Sequence, residues 1–229
     1  MRINKYLAES GFCSRRKADK LIEDGKVMIG AEVAQLGSQV NDGDDVFVGG
    51  NLVSNKGKED IFIAFHKPVG VISTFDKDSH NTLADWVDVG ERIFNVGRLD
   101  VASSGLILLT NNGEVSEAIT HPRGNHEKEY VVTLDKPYTR SFIDQMKSGV
   151  ILEDGMTKPA RAKKISNTRF ELILTEGRNR QIRRMCEKLG FQVKKLKRTR
   201  VMNVKLGELG DGNWRLLTKK ERRELQEQL

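Results

Sequence analysis

From Asn51 to Asp60 the chain has one apolar pair, Leu52-Val53, set among Ser54, Asn55, Lys56, Gly57 and Lys58. Such a stretch has too little apolar surface to sit inside a core and reads as a linker. No single core is expected to run across it. The chain is therefore expected to have two parts, a small module over residues 1–58 and a larger domain over residues 59–229. A length of 229 residues suits one small and one medium domain.

The first part reads as two helices and short strands. Ile3 and Leu7 share one face of a helix over Arg2–Glu9, which Gly11 breaks. Ser14 can cap a second helix that Gly25 ends. Ala18, Leu21 and Ile22 lie on one side of it, and Arg16 and Lys20 share another. Lys26–Ile29 and Val46–Val48 read as strands, with a turn at Asn41–Asp44 before the second.

Beyond Asp60 the chain becomes more hydrophobic. Ile61–Phe65, Val71–Ser73, Arg92–Val96, Leu106–Thr110, Glu129–Leu134 and Phe170–Leu174 read as strands, and Thr139–Met146 as a helix. Asn179–Leu189 is the clearest helix: Ile182, Met185, Cys186 and Leu189 fall on one stripe, and Gly190 stops it. Thr218-Lys219-Lys220-Glu221 has the capping-box pattern, opening a terminal helix with Leu225. Strands and helices mix without regular alternation, so the fold class is α+β.

The longest purely apolar run, Ile61–Phe65, is far shorter than the ~20 residues that span a bilayer. No apolar stretch follows the first charges, so no signal peptide is readable. Cys13 and Cys186 are the only cysteines, and the four histidines lack metal-ligand spacing. Neither a disulfide framework nor a structural metal is expected, and the chain is expected to be cytoplasmic. Its net charge of +7 is uneven. Between Glu176 and Lys205 eleven cations face two anions, which leaves −2 for the rest. One arginine-rich stretch on a near-neutral body is the footprint of a polyanion-binding face, and nucleic acid is the expected partner.

The most informative segment runs Asn95-Val96-Gly97-Arg98-Leu99-Asp100-Val101-Ala102-Ser103-Ser104-Gly105-Leu106. A strand enters a polar turn that holds an aspartate, and a very apolar strand leaves it. On the residues alone, Asp100 is a turn residue or a catalyst. If the strand continued, Arg98 and Asp100 would alternate onto one side and form an ion pair. Here the chain resembles the RNA pseudouridine synthases, through Gly97-Arg98-Leu99-Asp100 with Ser104-Gly105-Leu106. The likeness continues in Lys128-Glu129-Tyr130-Val131-Val132 and in Gly177-Arg178-Asn179-Arg180-Gln181-Ile182-Arg183-Arg184-Met185. The last form is similar to the branch comprising RsuA, RluB, RluE and RluF. The segments at 126–130 and 197–204 look closest to RluF. Arg2–Leu7 with Gly11, Cys13–Arg16, Ala18 and Asp19 resembles that branch's N-terminal RNA-binding module, named for ribosomal small-subunit protein four.

The resemblance implies a small α/β RNA-binding module followed by a larger, mainly antiparallel-sheet catalytic domain. It implies isomerisation of uridine to pseudouridine, with Asp100 as the ionised carboxylate, either nucleophile or base. Arg183 would keep that carboxylate charged. Tyr130, otherwise an ordinary core aromatic, would stack on the extruded uracil. Leu99 and Ile182 would wall the pocket, or are plain core. Arg98 would enter the vacated stack or touch a phosphate. Arg178, Arg180 and Arg184 would meet RNA, as would Arg15, Arg16, Lys17 and Lys20 at the second helix. No cofactor and no metal are implied. The expected substrate is ribosomal RNA, most of all of the large subunit, with small-subunit or transfer RNA as the alternative. A non-catalytic ribosome-assembly protein is the reading from another class. Neither DNA nor a membrane is an expected partner, and a monomer is expected.

Overall fold

The structure, a computed structural model, describes residues 1–54, 59–76 and 78–229. The boundary expected after residue 58, and Asn55–Lys58 of the expected linker, lie outside the described residues. Two compact units are present. One comprises Met1–Ile61 with Val89–Ile93 and Asn111–Gly113; the other comprises Phe62–Asp88, Phe94–Thr110 and Glu114–Leu229.

In the smaller unit, α1 (Ile3–Glu9) and α2 (Arg15–Glu23) precede β1 (Val27–Ile29), β2 (Glu32–Val33), β3 (Val46–Val48) and β4 (Asn51–Val53). Ser14 caps α2, its hydroxyl accepting from the Lys17 amide at 3.2 Å. The sheet order is β2-β1-β3-β4, with the described pairings antiparallel. Ile3, Leu7, Ala18, Ile22, Val27 and Val46 form its core. One sequence expectation is corrected here. Asn51–Val53 is a strand, not linker, because Gly49 and Gly50 both adopt positive φ (56° and 81°) and fold it back onto β3. A two-residue loop of that conformation matches the strand twist.

The larger unit contains β5 (Phe62–Lys67), β6 (Phe94–Val96), β7 (Ser104–Thr110), α3 (Gly113–Thr120), β8 (Lys128–Leu134) and α4 (Arg140–Ser148). There follow β9 (Ile151–Leu152), β10 (Gly155–Met156), β11 (Arg161–Lys164), β12 (Arg169–Leu174) and α5 (Gln181–Lys188). The chain ends with β13 (Val193–Val201), β14 (Val204–Lys205), β15 (Trp214–Leu216) and α6 (Lys219–Gln226). Nine strands form one sheet, β11-β12-β8-β13-β7-β5-β15, with β14 on β13 and β6 on β7. Among the described residues, β13 and β7 are the only strands of this sheet that pair in parallel; its other strand pairings are antiparallel. This is the expected α+β architecture.

β5 is buried along its whole length, which is why it reads as a continuous apolar run. Phe62 and Ala64 join Leu106, Leu108, Ile119 of α3 and Leu225 of α6 in one cluster. Phe142 of α4 packs edge-on against Phe170 and Phe191, with ring centroids 5.4 and 4.6 Å away.

Three expectations are corrected in this unit. Val71–Ser73 is not a strand; only Ile72 bridges, to Thr82. Gly70 at φ 93° turns the chain, and the Val71 carbonyl is taken by the Lys67 ammonium at 2.8 Å. The strand placed at Arg92–Val96 is Phe94–Val96 alone. The helix placed at Asn179 starts at Gln181, because Arg180 is left-handed at φ 47°.

Thr218 and Glu221 form the expected capping box at α6. Glu221 also accepts from Arg215 Nη1 and Nη2, both at 2.7 Å. The Arg215 bonds, helped by those from Thr218, pull its carboxyl from 4.5 down to about 2. A depressed folded pKa contributes stability above the unfolded value and loses it as pH falls through the folded one. Glu221→Gln is expected to lower unfolding free energy by about 1–3 kcal/mol at neutral pH. That gap should close as pH falls from about 4.5 towards 2. Urea midpoints measured across this range check it; a constant gap would assign the loss to packing.

Candidate active site

β6 stops at Val96, and Gly97 at φ 73° turns the chain into a loop that re-enters the sheet as β7. Asp100 sits in that loop, whose turn is closed by the Ser103 amide donating to the Asp100 carbonyl at 2.9 Å. Backbone bonds fasten it on several sides. The buried Ser73 hydroxyl donates to the Leu99 carbonyl at 2.7 Å and accepts from the Leu99 amide at 3.1 Å. The Gly70 amide donates to the Val101 carbonyl at 2.8 Å. A carboxylate on a loop pinned this way has little freedom to turn away from a partner.

Its partners come from the start of α5. The amphipathic stripe of that helix buries Ile182, Met185 and Cys186, which brings the neighbouring Arg183 inward. Arg183 Nη2 donates to the Ala102 carbonyl at 2.8 Å and the Ser103 hydroxyl at 3.1 Å, and Nη1 to the Val193 carbonyl at 3.2 Å. With those nitrogens anchored, Nε lies 3.8 Å from the Asp100 carboxylate, buried and without a hydrogen-bond partner. That distance makes an ion pair, not a hydrogen bond. Arg180 Nη1 lies 4.0 Å from the same oxygen. Burial and the adjacent Arg180 push the Arg183 guanidinium down from its ordinary range, and Asp100 opposes this. The Asp100 side chain is 29% exposed, so it is reachable yet partly desolvated. The chain thus pairs Asp100 across 80 residues and more with α5, not with Arg98, which is exposed.

Strand register places the remaining groups. Leu172, Tyr130, Arg198, Gly105 and Lys67 are successive cross-strand partners on β12, β8, β13, β7 and β5. Residues in such a row share one face. Tyr130 is 9% exposed and Lys67 is fully buried. Lys67 donates to the Pro68 and Val71 carbonyls, both at 2.8 Å. Burial pushes its ammonium down to about 8; Asp100 acts against the shift and Arg198 adds to it. Asp100 is therefore within electrostatic reach of this row.

The other expected RNA contacts divide. Arg15, Arg16, Lys17 and Lys20 are exposed along α2. Leu99 and Ile182 are buried, at 7% and 4%. Arg178 and Arg184 spend their donors inside the protein. Arg178 donates to the Asp154, Gly155 and Met156 carbonyls, and Arg184 grips the Asp154 carboxylate at 2.9 and 3.1 Å. They hold the β9–β10 hairpin to α5, while Arg180 remains 53% exposed.

Sequence reasoning passed over Lys67, Ser73, Ser103 and Arg198. His66 and Lys67 lie beyond the strand expected at Ile61–Phe65, whereas β5 runs to Lys67, and Arg198 is in sequence one more cation of the basic run. The signal for Arg198 was its place two residues after the apolar Leu196, both buried; an irregularity after Arg198 moves the next buried position to Val201 and breaks the alternation. Neither thiol is a competing nucleophile. Both are buried, and burial pushes Cys186 up to about 12.

A family model for RNA pseudouridylate synthases matches residues 61–188, and a model for the S4 domain matches residues 1–46. The chain is 47% identical over 222 residues to the dual-specificity RNA pseudouridine synthase RluF of Escherichia coli K12, covering 96% of this chain and 77% of that protein. It is 38% identical to the ribosomal large subunit pseudouridine synthase B of Bacillus subtilis, covering 96% and 93%. A crystal structure of a pseudouridylate synthase superimposes with a TM-score of 0.73 at 32% identity, over 98% of this chain and 99% of that one. The family model over residues 61–188 and the 47% identity across 96% of the chain show that this chain belongs to the RNA pseudouridine synthase family.

Proposed function

We propose that the protein converts a uridine of ribosomal RNA, in the large subunit, to pseudouridine, with Asp100 as the reacting carboxylate. The observation that carries the chemistry is the Asp100 carboxylate 3.8 and 4.0 Å from two arginines on a loop held by backbone bonds. The reaction breaks the N1–C1′ bond, turns the base, joins C5 to C1′ and releases the C5 proton to solvent while N1 gains one. An ionised Asp100 either attacks C1′ or removes a ribose proton on the way to a glycal; both routes need its charge. The two guanidiniums set positive charge 4.0 and 3.8 Å from the carboxylate. Tyr130 offers the extruded base an aromatic face, and Leu99 and Ile182 offer apolar walls. Arg180 and Arg98 meet flanking phosphates. Arg15, Arg16, Lys17 and Lys20 bind the RNA backbone, which positions the substrate without reading its sequence.

Large-subunit RNA is supported by the likeness to the Bacillus subtilis ribosomal large subunit pseudouridine synthase B. Site-resolved mapping of pseudouridine in cellular RNA, with and without the protein, tests it. Loss of a large-subunit site in the deletion strain is the expected result. Because the Escherichia coli relative is called dual-specificity, the map should include transfer RNA. Loss confined to transfer or small-subunit RNA would replace the substrate assignment.

A further inference from the structure

Arg198 lies in the middle of β13 and is 3% exposed. A guanidinium taken so far from water needs acceptors. Nε donates to the Leu106 carbonyl at 2.7 Å, and Nη1 makes a long bond of 3.5 Å to the Arg98 carbonyl. Nη2 is buried with no hydrogen-bond partner. Among the described residues the group forms no ion pair. It lies close enough to Lys67 and Lys128, both buried or half-buried, to disfavour their charges. A position that served packing alone would be filled at less cost by an apolar side chain.

The two carbonyls it grips have a common meaning. Arg98 precedes Asp100 on the way into the loop, and Leu106 follows the loop in β7. Ser73, Gly70 and Arg183 hold Leu99 to Ser103, the crest. Arg198 holds the base, where the two arms meet. A planar fork can span two carbonyls, whereas an ammonium is a single point.

We propose that Arg198 is a positioning residue for Asp100: by bridging the Arg98 and Leu106 carbonyls it closes the base of the loop and sets the carboxylate where Arg183 meets it. This rests on the reading that Asp100 performs the chemistry, but the mechanical part can be measured without turnover.

The full chain is compared with Arg198→Lys, Arg198→Met and Asp100→Asn. Amide exchange of residues 97–105, followed by mass spectrometry, reads the loop directly. Tritium release from a transcript carrying 5-tritiated uridine at the mapped site reads the single-turnover rate, and filter binding of that transcript reads affinity. In Arg198→Met the loop amides should exchange at least about tenfold faster and the rate should fall about 100-fold, the scale of a misplacement near 1 Å. The dissociation constant should stay within about threefold. Arg198→Lys keeps one of the two bonds and should recover part of the rate; it carries the test if the Met variant does not fold. Loop exchange and rate both at wild-type level in folded Arg198→Lys would overturn the proposal. So would a rate loss matched by an equal loss of affinity with loop exchange unchanged. If Asp100→Asn still turns over while the loop loosens in the Arg198 variants, the assigned chemistry fails and the bracing role stands.

Discussion

Asp100→Asn should lower the single-turnover rate of pseudouridine formation by at least about 10⁴-fold, equivalent to about 5.5 kcal/mol of barrier. Asparagine matches the shape of aspartate but cannot ionise. It keeps the loop bonds of Leu99, Val101 and Ala102, none of which uses the Asp100 side chain. The fold should therefore survive, and the ion pairs to Arg183 and Arg180 should be all that is lost. RNA affinity should stay within about threefold, because cations supply most of it and removing an anion from the site does not weaken phosphate attraction. Turnover within tenfold of wild type would remove Asp100 from the chemistry and leave the arginines as an RNA-binding cluster.

The largest stability effect is expected at Gly105. It sits at φ 112°, a conformation side chains rarely adopt. A Cβ there would lie 2.2 Å from the Arg198 carbonyl oxygen and 2.5 Å from its nitrogen. Both are backbone atoms of the neighbouring strand, so relief requires β7 and β13 to part at their parallel pairing. Gly105→Ala should cost about 4 kcal/mol, strain and overpacking together, and lower the melting temperature by about 10 °C. Gly190 is the control. It also has positive φ, 83°, but open space around its Cβ, so Gly190→Ala should cost only about 1 kcal/mol. Equal shifts for the two variants would mean that the β7–β13 approach is less tight than it stands.

Much of this was legible along the chain. Ser14 and Thr218 each cap the helix expected after them, since capping is a contact between residues three apart, while Thr139, read as the first residue of its helix, is the cap. The buried stripe of α5 and the buried run at β5 were readable because periodicity reports how much of an element faces the core. The motif around Asp100 pointed to the family through local residue order alone. Where neighbours override local pattern, the reading failed. Asn51–Val53 carries a lone apolar pair in a polar stretch, yet it is a strand because Gly49-Gly50 folds it onto β3. Val71–Ser73 has strand character, yet a buried lysine takes its carbonyl. β13 was hidden inside a run of lysines and arginines, because a buried Arg198 looks like any other cation in sequence.

The sequence by itself therefore determined the capped starts of α2 and α6, the apolar elements, the basic stretch and the motif that carries Asp100. Those are matters of spacing, and spacing is what a chain states directly. Only the tertiary structure decided which cation does what. Arg183 and Arg180 face Asp100, Arg178 and Arg184 clasp the β9–β10 hairpin, and Arg198 grips two carbonyls beneath the loop. In sequence these five arginines are chemically the same and lie within 21 residues of one another. What separates them is the acceptor each meets, and those acceptors are brought there by strand register and helix packing across as many as 100 residues.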